Sequence, residues 1–304
     1  MSALSINTIS KNYGHVKALQ AVSFEVASGE LFGLIGPDGA GKTTLFKILV
    51  TLLLADSGNA TVSGRNVVSD YKLLRQTIGY MPGRFSLYPD LTVQENLRFF
   101  ATVFGTTIEA NYELIRDIYE QLKPFSDRRA GNLSGGMKQK LALCCALIHK
   151  PDVLFLDEPT TGVDAVSRKE FWEMLKNLQK QKLTILVSTP YMDEAGLCDR
   201  VAFIQNGKIL AVDTPVGITT RFKKPLFSVK SNHTYQLIQD LRKAPFTDAC
   251  YAFGESVHLT GKTGTDKKQV ADYLTDNHHK TADVQPIEAG IEDTFMELMK
   301  KDQL

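Results

Sequence analysis

Cys144, Cys145, Cys198 and Cys250 are the only cysteines in 304 residues, and they lack metal-ligand spacing. They read as small buried or half-buried side chains in a reducing compartment. Excess charge is lacking too. Thirty-five Lys and Arg against 34 Asp and Glu leave a formal net charge of +1, so bulk electrostatics favour neither nucleic acid nor anionic lipid. No apolar run approaches the roughly 20 residues that span a bilayer. The best candidate, 45–55, is short and contains Lys47. The opening MSALSINTIS has no basic start followed by an apolar run, so no secretory leader is expected. Internal repeats and low-complexity tracts are absent. What remains is an ordinary globular composition with length for about two domains.

The most informative stretch is 36–44, GPDGAGKTT. Gly36, Gly41, Lys42 and Thr43 occupy the fixed positions of G-x-x-x-x-G-K-[ST], and Pro37, Asp38, Gly39, Ala40 and Thr44 complete the loop. An apolar run, Leu31 to Ile35, precedes it as a buried strand. TLFKILVTLLL follows it as a helix. Phosphate binding needs that order. Glycines let backbone N–H groups turn inward around phosphate oxygens, and the helix N-terminus adds its dipole. Lys42 reaches the β- and γ-phosphates in such a loop, and the Thr43 hydroxyl ligates Mg²⁺.

Around the loop the chain reads as α/β. LSINTISKNYG and VKALQAVSFEVASGE predict an antiparallel strand pair, with a further short hairpin turning at Ser63-Gly64. From about 85 to 148 the spacing becomes helical, in QENLRFFATVFG, ANYELIRDIYEQLK and GNLSGGMKQKLALCCALIHKP. Beyond it, VLFLDEP and LTILVSTP predict buried strands, and RVAFIQNGKILAVD a hairpin at Asn206-Gly207. Wholly apolar strands alternating with helices predict a largely parallel sheet. The core domain is expected to span 1–220. Residues 221–304 order as βαββαβ plus a helix, which predicts a small α+β domain of ferredoxin-like type. His233, His258, His278 and His279 lie in this part and read as solvated surface residues.

A second motif, LSGGMKQK at 133–140, lies upstream of VLFLDEPTTGVD. With the phosphate loop, this set resembles the ATP-binding cassette family over roughly residues 3–215. The resemblance implies a P-loop NTPase cassette with an antiparallel β subdomain and a helical insertion. It implies that Asp157 holds Mg²⁺ and that Glu158 is the general base on the attacking water. Tyr13 matches the aromatic that stacks on adenine. Ser134, Gly135 and Gly136 form a signature that faces a γ-phosphate held by another subunit, and Asp164 matches the loop that crosses the dimer interface. GYMPGRFSLYPDLTVQENL, VSTPYMDEAGLCDRVAF and GIEDTFMELM are similar to cassettes of multidrug or anthracycline-type exporters, and more closely to the first half of tandem efflux cassettes.

Two positions depart from that pattern. Gly83 stands where the family has a glutamine that senses the γ-phosphate, and Pro190 where it has a switch histidine. Asp38 and Lys140 are smaller departures. Losing one positioned polar contact costs ~10²–10³ in rate, so the chain's own site is expected to bind ATP with Mg²⁺ and hydrolyse it slowly. An intact signature beside a weak site implies a heterodimer with a more complete cassette. Separate transmembrane permease subunits, docked around Phe85 to Leu97, would then hold the chain on the inner face of the cell membrane, in the cytoplasm. A non-hydrolysing regulatory subunit is the alternative. No nucleic-acid partner is expected.

Overall fold

The alternating residues at the start of the chain pair as an antiparallel hairpin. In a computed structural model describing residues 2–279 and 281–302, β1 (Ser2–Tyr13) and β2 (Val16–Ala27) set Ile6 opposite Phe24. β4 (Ser57–Val62) and β5 (Arg65–Asn66) extend this sheet in the order β2-β1-β4-β5. The turn between them uses Ser63 and Gly64, both at positive φ (49° and 76°), the twist that suits a two-residue hairpin.

The centre of the larger sheet is built from strands covered on both faces. β3 (Leu31–Ile35), β7 (Val153–Asp157) and β8 (Thr184–Thr189) are buried along their whole length. With β6 (Ile78–Met81), β9 (Arg200–Gln205) and β10 (Lys208–Asp213) they lie in the order β10-β9-β3-β8-β7-β6. All neighbours are parallel except β10, which closes the edge as a hairpin with β9. Strands covered on both faces must be apolar throughout. One core joins both sheets: Phe24 stacks on Phe32 (5.2 Å), and Phe46 of α1 (Lys42–Leu49) meets Phe155 edge-on (6.0 Å). Removing a fully buried ring such as Phe46 costs ~3–5 kcal/mol.

The helix after the phosphate loop is shorter than its apolar run implied. It stops at Leu49, because Thr51 turns left-handed (φ 65°). Leu52 N–H then donates to Lys47 O (2.8 Å) and Thr51 N–H to Ile48 O (3.1 Å). This is a two-bond helix stop of the kind usually made by glycine, and it leaves Leu52 and Leu54 exposed.

α2 (Tyr71–Thr77) precedes β6. The helical part holds α3 (Val93–Val103), α4 (Tyr112–Leu122) and α5 (Gly135–Leu147). A reciprocal cap between Thr92 and Glu95 starts α3. After β7 come α6 (Ala165–Lys180) and, beyond β8, the short α7 (Met192–Ala195). Among the described residues no helix is long and apolar enough to cross a membrane.

A second compact unit covers Gly217–Lys300. Its strands β11 (Leu226–Lys230), β12 (Thr247–Phe253), β13 (Ser256–Gly261) and β14 (Asp283–Pro286) form an antiparallel sheet in the order β12-β13-β11-β14. With α8 (Pro215–Thr219) leading in, α9 (Thr234–Lys243) and α10 (Lys267–Asp276) supply the crossovers of a βαββαβ unit, burying Leu237, Leu241, Val270 and Leu274 against Phe227, Val257 and Leu259. α11 (Ile291–Asp302) ends the described chain.

Two of this unit's histidines are not solvated. His258 is buried and shares a 2.7 Å hydrogen bond with Asp293, while Phe253 stacks on its ring at 4.0 Å. His279 is buried against Asp240 (3.1 Å), which holds that carboxyl below its usual range. His233 and His278 are exposed as expected. All four cysteines are buried.

Candidate nucleotide site

The site forms at the carboxyl edge of the parallel strands, where β3, β8 and β7 end side by side. There Ile35 pairs with Thr189, and Ser188 with Asp157. Gly36 N–H donates to Thr189 O (3.2 Å) as the chain leaves β3. Two glycines are needed for packing. A Cβ on Gly36 would lie 2.2 Å from Ile204 O, and one on Gly41 (φ 107°) 2.4 Å from Ala18 O. Gly39 is also left-handed but faces open space. Ala40 is buried, and its carbonyl accepts from Gly207 N–H (3.0 Å). Asp38 is exposed.

α1 begins directly behind Gly41 with no side-chain cap, so no side chain occupies its first N–H groups. Lys42 is only 3 % exposed. Its ammonium donates to Gly36 O (2.7 Å) and Pro37 O (2.9 Å) and pairs with Glu158 Oε1 (3.0 Å). Three donors therefore meet three acceptors.

Asp157 is the last residue of β7 and is 2 % exposed. Ser188 Oγ donates to it (2.6 Å) and accepts from Glu158 N–H (3.0 Å). Burial, helped by the Asp157 charge, pushes the nearby Tyr80 phenol up to about 12. Glu158 holds a left-handed backbone (φ 51°), a strain of roughly 1–3 kcal/mol for a non-glycine residue. Tyr13, Gly39, Gly41, Lys42, Thr43, Thr44 and Glu158 line one open pocket, with Tyr13 half exposed at its rim.

The two departures sit beside these groups. A Cβ on Gly83 would lie 3.0 Å from the Asp157 backbone O and 3.8 Å from Glu158 Cβ, so an exposed, side-chain-free residue abuts the backbone that carries both acids. Pro190 directly follows the end of β8.

The donors suit Mg²⁺: a hydroxyl at Thr43 and a carboxylate at Asp157 are both hard oxygen ligands. No cluster of three or more His, Cys, Asp or Glu that could hold a metal occurs among the described residues. A cation held mainly by substrate phosphates and water needs only one or two protein oxygens.

Ser134, Gly135, Gly136 and Asp164 do not line this pocket. They gather where α5 and α6 begin. Ser134 Oγ caps α5 by accepting from Met137 N–H (3.3 Å). Asp164 caps α6 by accepting from Val166 N–H (3.1 Å) and Ser167 N–H (2.9 Å). Gly136 packs so closely on Ser167 that a Cβ would meet its Oγ at 2.6 Å. Lys140 ties the helices together, bonding Gln121 and Glu170 at 2.7 Å each. Sequence reasoning did not single out Ser188 or Glu194. The only signal for Ser188 was its register opposite Asp157, which requires the strand order first.

Comparison with known proteins decides the family. The ABC transporter family model matches residues 19–161. Nod factor export ATP-binding protein I of Burkholderia lata is 36% identical over 268 residues, covering 86% of this chain and 85% of that one. The chain belongs to the ABC transporter ATP-binding family. A probable multidrug ABC transporter ATP-binding protein of Escherichia coli, YbhF, is 43% identical over 216 residues; the match covers 70% of this cassette but 37% of that longer protein. Among solved structures, an ATP binding subunit of an ABC transporter superposes with a TM-score of 0.65 at 30% identity, covering 72% of this chain and 93% of that one. The cassette also shares its fold with cbiO1 of Clostridium perfringens (TM-score 0.65, 24% identity, covering 72% and 91%).

Proposed function

We propose that this cassette is the ATP-binding and ATP-hydrolysing subunit of an exporter, with a weakened nucleotide site of its own. The observation that carries the reading is the pocket in which Lys42 and Glu158 meet at 3.0 Å beneath an uncapped helix N-terminus. Loop N–H groups of Gly39 and of Gly41 to Thr44 cradle the phosphates, and Tyr13 stacks on the adenine. A triphosphate competes for the Lys42 ammonium, which moves from the Gly36 and Pro37 carbonyls to phosphate oxygens and frees the Glu158 carboxylate. Glu158 then takes a proton from water as the water oxygen bonds to the γ-phosphorus and the β,γ-bridging bond breaks toward ADP. Thr43 and Asp157 would hold Mg²⁺, which neutralises charge on the phosphates.

Ser134, Gly135, Gly136 and Asp164 serve the nucleotide of a second cassette, and a heterodimer suits a chain whose signature is complete while its own site is not. Export is named for the Burkholderia lata relative, and a multidrug transporter, as the Escherichia coli relative is named, is compatible with it. Permease subunits supply the membrane path and hold the cassette at the cytoplasmic face. The second compact unit acts as an accessory domain.

Gly83 and Pro190 favour a second reading, a regulatory subunit that binds ATP without hydrolysing it. ATP turnover of the purified chain, beside Glu158→Gln and over a range of protein concentrations, separates the two. We expect tight ATP binding, slow wild-type turnover, and a further drop in Glu158→Gln. Binding with turnover equal in both proteins favours the regulatory reading. Brisk turnover that rises with concentration and vanishes in the variant overturns the weakened-site reading in favour of a working homodimer.

A further inference from the structure

Glu194 is an acid that neither the phosphate loop nor the signature uses, yet it is 2 % exposed. Burying a carboxylate is costly unless strong partners compensate. Its cation is distant: Arg168 Nε lies 3.8 Å from Oε1. The close partners are two hydroxyls, Thr160 donating to Oε1 (2.8 Å) and Thr189 to Oε2 (2.5 Å). Both hydroxyls donate to the one carboxyl group, so both rotors are fixed.

Those threonines belong to different parts of the site. Thr189 ends β8, and its carbonyl accepts from Gly36 N–H at the entry to the phosphate loop. Thr160 follows Glu158, and its carbonyl accepts from Val163 N–H (3.2 Å), next to Asp164. A continuous path therefore runs from Gly36 through Thr189, Glu194 and Thr160 to Val163. Arg168, one turn into α6, braces it by donating to Asp193 (3.1 Å) and lying over the Tyr191 ring (4.8 Å). Pro190 offers no polar side chain here, so the end of β8 is tied to this path by the Thr189 hydroxyl.

We propose that Glu194 is a positioning residue that couples the phosphate loop to the Asp164 loop, so that nucleotide at Lys42 alters the exposed face carrying Asp164. This rests on the nucleotide reading of the Lys42 pocket.

Hydrogen exchange of residues 159–166 tests it on the full chain, with and without ATP and Mg²⁺, beside ATP affinity and melting temperature. In the wild type ATP should slow exchange there roughly tenfold, within the usual range of site-to-site coupling. Glu194→Gln keeps the size but leaves one carbonyl oxygen for two hydroxyls. Together with Thr160→Val, it should keep ATP affinity within about twofold and lose most of the slowing. A wild type that binds no ATP defeats the nucleotide reading itself. ATP binding without slowing in the wild type overturns the coupling alone. So does equal slowing in wild type and variants, including variants that merely melt lower.

Discussion

Three helices of the cassette start at functional loops, and they start in two different ways. α1 begins behind a left-handed glycine with no side chain on its first N–H groups, whereas α5 and α6 are capped by Ser134 and Asp164. An uncapped N-terminus holds its donors ready for an external anion, with the helix dipole behind them. Asp164 already uses two N–H groups of α6 and places a negative charge there, so α6 is closed to a phosphate. Ser134 lies between these extremes: one neutral hydroxyl takes one N–H at 3.3 Å, an exchangeable cap. The difference separates an N-terminus whose donors are open to an anion from two that their own side chains hold in shape.

Breaking the first face has the largest expected effect. Lys42→Ala removes the ammonium and leaves Glu158 facing the phosphates. ATP affinity should fall by ~3 kcal/mol, roughly 100-fold, measured by fluorescent-nucleotide titration; a loss under threefold would mean that the loop N–H groups suffice. Repairing the same face comes next. Gly83→Gln puts an amide beside Asp157 and Glu158, at the cost of a 3.0 Å contact with Asp157 O. Turnover should rise by roughly tenfold, less than the full worth of one well-placed donor, and unchanged turnover would mean that Gly83 does not limit it.

Ser134→Ala acts on the second face. It should cost ~1 kcal/mol of cap stability, seen as faster exchange at the start of α5, while this chain's own ATP affinity stays unchanged. A fall in that affinity would contradict the separation of the two faces. The smallest effect belongs to Asp164. Hydrogen bonds from Ser167 and Val166 hold its carboxyl below the usual range. A lowered folded value means that the cap's contribution is complete above the unfolded value and fades as pH falls through the folded one. Protection against exchange at the start of α6, taken relative to the unstructured rate at each pH, should fall in acid in the wild type, and Asp164→Asn should flatten that dependence.

The cassette fold was legible because its signals are local. The apolar runs in β3, β7 and β8 read as covered strands, and Ser63-Gly64 and Asn206-Gly207 marked the β4–β5 and β9–β10 turns by residue type. The second unit's strand and helix order was legible for the same reason. What stayed hidden depends on distant partners. His258 finds Asp293 from 35 residues away, and nothing near it in SVHLT announces a carboxylate. Glu194 sits in MDEAG, the short α7, and its carboxylate turns inward onto Thr160 and Thr189. The end of α1 was misjudged because the stop uses Thr51 rather than glycine. In the candidate site, the loop residues and the two carboxylates were visible as motifs, while Ser188 required the strand order.

That strand order also sets when the phosphate loop can take shape. β3 lies between β8 and β9, and the loop's outer wall is closed by the Ala40–Gly207 hydrogen bond. A ribosome making about 5–20 residues per second emits Gly207 on the order of ten seconds after Lys42. Until β8 emerges the growing chain carries an apolar segment, 31–35, with neither flanking strand, and until Gly207 follows it has no finished cradle for phosphate. ATP thus arrives as a ligand of the nearly complete cassette, too late to template its earliest folding.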